Sequence, residues 1–294
     1  MNRIDICKNI IQSINEYITN PDNLEPHREK KHFIRKRKLS LFQVILYLLY
    51  SSKASRFQNL SCIREDLPSL DFPSVSKQAL SKARQFINPS LFKELFYLSV
   101  DLFYSQLPSR RLWHGYHLFA VDGSKIELPN SSSNFEFFGE MFGYPDPSRR
   151  FTMGLASIVY DVLDDYIVHS SFQRYLASER AAALEHLKNL EALNIYQDSI
   201  VIFDRGYYSE NFFRYCVEHG HLCLMRLKEG YNLAKKCSGD VHTFLPGNSK
   251  DGTTDIDVRV IEVTLDDGTK EYLATNLFDP LITQAMFQEL YFYR

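Results

Sequence analysis

Ile4, Cys7, Ile11, Ile14 and Ile18 recur at steps of three and four, which puts them on one face of a helix over residues 3–18. Asn20-Pro21-Asp22-Asn23 ends that helix. A strongly apolar stretch, Leu41 to Tyr50, follows Ser40, whose hydroxyl suits a helix N-cap. Another helix is expected from Ser74 or Ser76 through Ile87. Asn88-Pro89 opens the next, with proline in the first turn, where no N–H is needed. Residues 1–113 are therefore expected to form a mainly helical domain.

The pattern changes at Gly115. His117 to Val121 is a short apolar strand running into Asp122-Gly123-Ser124, and residues 151–160 and 165–173 are two strands around a turn at Asp164-Asp165. Ser178 to Leu193 has helical spacing. Ile200-Val201-Ile202-Phe203 is apolar without alternation, as expected of a central strand covered on both faces. A helix near 209–219 and a strand at 222–227 follow. Three strands, a helix, a strand, a helix and a strand are the order of an RNase H-like sheet, so an α/β fold is expected with that core over 114–228. Residues 229–273 turn polar and then β-like, notably Ile256 to Leu265, and are expected as an inserted β-rich subdomain. Residues 274–294 return to the core, which would be left incomplete.

Composition changes little in this picture. Hydrophobic residues are 45% and charged residues 24% of 294, with net charge -2, so overall basicity gives no argument for a nucleic-acid partner. The distribution does: Arg28 to Lys38 holds seven Lys or Arg and one acid. The five cysteines have neither a C-x-x-C pair nor zinc spacing, as in a reducing compartment. No signal peptide opens the chain, and Leu41 to Tyr50 is about half the span of a bilayer, so a cytoplasmic protein without a membrane partner is expected.

Asp122 and Asp204 each end an apolar strand. If the two strands are parallel neighbours, their ends lie about 5 Å apart and both carboxylates project into one crevice. Hard oxygen ligands so placed suit Mg²⁺ or Mn²⁺ and metal-assisted phosphoryl transfer. The plainer alternative is two turn residues, since Asp-Gly is a common turn pair.

Ile202-Phe203-Asp204-Arg205-Gly206-Tyr207 resembles the D-R-G-Y motif of DDE transposases of the insertion-sequence-four group, and Val121-Asp122-Gly123-Ser124 resembles the motif around their first aspartate. Phe33 to Leu39, Ser76 to Arg84 and Leu273 to Leu277 resemble three further stretches of that group, in order, from about residue 30 onward. The resemblance implies a D-D-E triad with divalent metal, Asp122 and Asp204 being its first two catalytic and metal-binding members. It also implies cutting and joining of the ends of a mobile element, with duplex DNA (terminal repeats and target) as partner and a homodimer on DNA. Tyr291 and Arg294 match the first two positions of the signature that carries the third member, but the sequence given stops before its Glu and Lys. A truncated chain of weak or no activity is therefore expected. The alternative is a DNA-binding remnant that inhibits a full-length relative. A two-carboxylate hydrolase such as a glycosidase would account for the aspartates but not for D-R-G-Y.

Candidate DNA contacts are Arg35, Lys36 and Arg37 in the basic run and Lys77 and Arg84 on the helix from Ser76, where phosphate contact competes with an ordinary solvated face. By resemblance, Arg205, Tyr207, Tyr291 and Arg294 join them. Asp161, Asp164 and Asp165 are expected as turn residues, and Trp113 as packing.

Overall fold

The computed structural model describes residues 2–35, 38–50, 56–143, 146, 148–247, 252–265 and 267–293. The chain divides into two compact units, Met1–Ser109 and Arg110–Arg294.

The first unit is helical: α1 (Arg3–Thr19), α2 (Pro21–Leu24), α3 (Leu41–Tyr50), α4 (Arg56–Asp66), α5 (Lys77–Arg84) and α6 (Ser90–Gln106). Its core gathers Ile18, Val44, Ile45, Ile63, Leu80 and Leu91, one or two from each long helix. Side chains cap the helices where the sequence offers them. Ser76 Oγ accepts from the Ala79 amide at 3.2 Å, which starts α5 after an extended approach.

The second unit is built on one mixed sheet. Its elements are β1 (His117–Leu128), α7 (Ser132–Phe138), β2 (Met141–Phe142), β3 (Arg150–Asp161), β4 (Tyr166–Arg174), α8 (Glu179–Ala192), β5 (Ser199–Phe203), α9 (Glu210–Glu218), β6 (Leu222–Leu227), α10 (Asn232–Lys235), β7 (Asp240–Leu245), β8 (Ile256–Thr264), β9 (Lys270–Thr275) and α11 (Gln284–Phe292). The strand order is β2-β3-β1-β5-β6-β9-β8-β7, with β4 also on β3. β1, β5 and β6 are parallel, and the remaining pairs are antiparallel. β5 is buried at all five positions, as its unbroken apolar run requires. On one face Leu118, Ile200, Ile202 and Leu224 pack with Phe287 and Leu290 of α11. On the other, Phe203 meets Phe212 of α9 edge-on, 5.2 Å between ring centres.

Two details depart from the sequence reading. β1 does not end at Asp122-Gly123; it continues to Leu128 because residues 119–128 pair with β3. Asp122-Gly123 is therefore strand, not turn. What ends after Val121 is the pairing with β5 and the burial of β1. The stretch expected as an inserted subdomain supplies β7, β8 and β9, and β9 pairs directly with β6, so these strands extend the central sheet. Among the described residues no helix is long and apolar enough to cross a membrane.

Candidate functional site

Val121 and Phe203 are register partners on the parallel pair β1 and β5. Asp122 and Asp204 are the next residue of each, so they leave adjacent strands at the same level, about 5 Å apart across the ladder. By strand alternation Asp122 shares the face of Leu118, and Asp204 that of Ile200 and Ile202. Asp122 is exposed and Asp204 half-buried. Asp204 Oδ1 accepts from the Arg205 amide at 2.6 Å, which holds the carboxylate against its own loop.

Two residues beyond the sequence's candidates join this face. Arg226 on β6 places Nη1 3.7 Å from Asp204 Oδ1 and makes a bidentate pair with Glu271 of β9. Glu271 is buried, with its side chain only 6% exposed, and Arg205 Nη2 stands 3.7 Å from its Oε1. Arg226 Cζ also lies 5.9 Å from the centre of the Tyr291 ring on α11. Asp204, Arg226, Glu271, Arg205 and Tyr291 thus form one connected cluster. Arg226 and Glu271 meet only through the antiparallel pairing of β6 with β9, which nothing local in either segment announces. Among the described residues no group of three His, Cys, Asp or Glu is placed to hold a metal ion. Asp122 and Asp204 present two hard carboxylates on one face, which suits a divalent cation held through two ligands.

Residues 113–293, more than half of the chain, match the family described as the transposase DDE domain. The chain belongs to that family. A solved structure, a cryo-EM structure of a piggyBac transposase synaptic complex with hairpin DNA, is similar over 92% of this chain at 10% identity and a TM-score of 0.41. The present chain spans 59% of the length of that one. No curated protein matches the chain.

Within the transposase domain the D-R-G-Y loop is held from α8. Arg180 donates Nε to the Tyr207 carbonyl at 3.0 Å and Nη2 to the carbonyls of Tyr208 and Gly206 at 3.2 and 3.4 Å. Arg205 and Tyr291, two of the expected DNA contacts, lie beside Asp204 and Arg226. Tyr207, expected to touch DNA, is instead 2% exposed. Its hydroxyl is buried beside Ser157, 3.3 Å from where a side chain on Gly123 would begin. Burial, then the Glu179 carboxylate, push its ionisation upward, so it stays a neutral phenol. Asp164 and Asp165 lie in the turn between β3 and β4, as expected, whereas Asp161 ends β3. Asp161 and Asp164 are buried, and Asp161 accepts from Arg110 Nη2 at 3.4 Å and from the Asp164 amide at 3.0 Å. Trp113 packs in the core beside Leu118.

In the helical unit Arg35, Lys77 and Arg84 are exposed; Lys36 and Arg37 there, and Arg294 in the second unit, lie outside the described residues. A cavity of about 660 Å³ is lined by Arg35, Lys38 and Lys82, with Phe33, Leu39 and Phe86 and, among the described residues, no acid. Lys82 was not among the sequence candidates, and Lys38 entered only as the end of the basic run. The signal that could have found them is the convergence of the two basic stretches, which only the helix packing creates.

Proposed function

We propose that this chain is a metal-dependent DNA transposase of the DDE type, with Asp122 and Asp204 as the first two carboxylates of an RNase H-like core. The carrying observation is the Val121–Phe203 register, which levels the two aspartates on neighbouring parallel strands. The order β4-β3-β1-β5-β6, with only the last three parallel, supports the reading of the core. Asp122 and Asp204 would hold Mg²⁺ or Mn²⁺, which when bound supplies Lewis acidity at the attacking and leaving oxygens of an in-line phosphoryl displacement. Arg205 and Arg226 lie where they can meet the phosphate of a strand held at Asp204. Arg35, Lys77 and Arg84, with Lys38 and Lys82, would grip duplex phosphates at the element's ends, two copies acting together.

Among the described residues no third acidic, His or Cys side chain is placed with the two aspartates to hold an ion. Glu271 is engaged by Arg226, and Glu289 is exposed on α11 beside Tyr293. A second reading, DNA binding with little cleavage, follows from that observation, since two carboxylates place a second ion poorly. The deciding experiment incubates the purified chain with Mn²⁺ and duplex fragments from either side of its own coding region. Nicking lost in Asp204→Asn supports the transposase reading. Binding without nicking, equal in wild type and Asp204→Asn, supports the second. Neither binding nor nicking sinks both.

A further inference from the structure

Behind Asp122, on the side of β1 that faces α8, runs a chain of buried polar groups. Ser157 of β3 donates its hydroxyl to the Asp122 carbonyl at 3.2 Å. His186 of α8 places Nε2 2.9 Å from Ser157 Oγ, and its Nδ1 lies 2.6 Å from Nδ1 of His169 on β4. His169 Nε2 stands 3.9 Å from Glu185 Oε1, which is half exposed. Ser157, His186 and His169 are 1%, 0% and 3% exposed.

One proton arrangement serves the three contacts that run from the Asp122 carbonyl to His169. A carbonyl only accepts, so the Ser157 proton is committed to Asp122 and its oxygen must accept from His186 Nε2–H. His186 Nδ1 is then bare and accepts from His169 Nδ1–H. Burial, then the neighbouring His169, hold His186 neutral by lowering its pKa to about 3, consistent with a single proton on that ring.

Apolar side chains at these three positions would fill the same space between α8 and the sheet without any polar group to satisfy, as Ala182, Ala183 and Leu187 do around them. The polar chain ends at the one β1 residue where the β5 ladder has just stopped. There the peptide has lost its neighbour on that side, and a rotation of its plane would swing the Asp122 carboxylate relative to Asp204.

We propose that Ser157, His186 and His169 are positioning residues that set the Asp122 peptide, and through it the aim of its carboxylate. The inference rests on the reading of Asp122 and Asp204 as metal-binding carboxylates.

The test measures Mn²⁺ binding by electron paramagnetic resonance on the full chain, with the folded fraction of every variant verified by circular dichroism. Ser157→Ala and His186→Leu should each weaken Mn²⁺ binding about tenfold, the scale seen when groups that orient a metal ligand are lost. Ser157→Thr keeps the hydroxyl, and His186→Gln offers an amide donor toward Ser157. Both should recover affinity to within about threefold. Leu187→Ala weakens the same helix and should leave affinity unchanged. Independently, nitrogen chemical shifts should report the Nε2–H form of His186 and the Nδ1–H form of His169. The inference is overturned if Ser157→Ala binds Mn²⁺ as wild type does while Asp204→Asn does not. It is also overturned if Leu187→Ala weakens binding as much as Ser157→Ala, or if the imidazoles show the opposite tautomers. A wild type that binds Mn²⁺ no better than Asp204→Asn overturns the reading of the site, and this inference with it.

Discussion

Removing Glu271 would leave the Arg226 guanidinium half-buried, with Asp204 the nearest carboxylate at 3.7 Å. Breaking a buried ion pair from one side strands the other charge, so Glu271→Ala should lower stability by about 3 kcal/mol. Replacing both partners, Arg226→Met with Glu271→Leu, should cost under about 1 kcal/mol, because no charge is then left behind. Urea unfolding midpoints check both, and equal losses for the single and double variants would show that the pair is not coupled. At the same scale, His186 predicts a pH dependence. Its folded pKa of about 3 lies below the ordinary histidine value of about 6.5, so between those pH values the unfolded chain takes up a proton that the folded chain refuses. Stability therefore falls as pH drops through that window, by about 2 kcal/mol between pH 6.5 and pH 5 from this residue alone. His117 and His221, also held low by burial, act with the same sign. His186→Gln should shrink the loss measured between about pH 7 and pH 5 by that amount; an undiminished loss would assign the slope to other groups.

The loop of residues 206–208 is held by three carbonyl contacts from one guanidinium. Lysine has no planar fork to reach three acceptors, so Arg180→Lys should loosen the loop without unfolding α8. Amide exchange of residues 205–208 should quicken about tenfold while β5 amides stay protected; exchange that quickens equally in β5 would mean global destabilisation instead. Elements differ in how far the sequence reveals them. β5 was readable because a strand covered on both faces needs no partner information: Ile200 to Phe203 is apolar throughout. The second half of β1, Ser124 to Leu128, was not, because its residues are exposed and polar enough to pass for a turn after Asp-Gly. It is strand only through register with Thr152 to Ala156, far along the chain. The two aspartates were legible from their positions after apolar runs. Arg226 and Glu271 were not, since a cross-strand pair 45 residues apart leaves no periodic trace.

The core of the helical unit draws on Ile18 to Leu95, and the core formed with α11 on Trp113 to Leu290, with no residue shared. Residues 1–109 and 110–294, expressed separately, should therefore each unfold cooperatively. A 110–294 fragment lacking a thermal transition would show that it depends on the helical unit. In the full chain, Arg35→Ala, Lys38→Ala and Lys82→Ala together should lower the slope of log affinity for duplex DNA against log salt by about two to three units. An unchanged slope would return the cavity they line to a solvated surface. The order of strands also has a consequence in time. β1 pairs with β5, and His117 is made 82 residues before its partner Ser199. At the ribosome's pace of about 5–20 residues per second, that edge of β1 stays open for roughly 4–16 seconds, apolar residues Leu118 to Val121 included. The strand that carries Asp122 thus waits longer for its partner than any other described strand pair of the sheet.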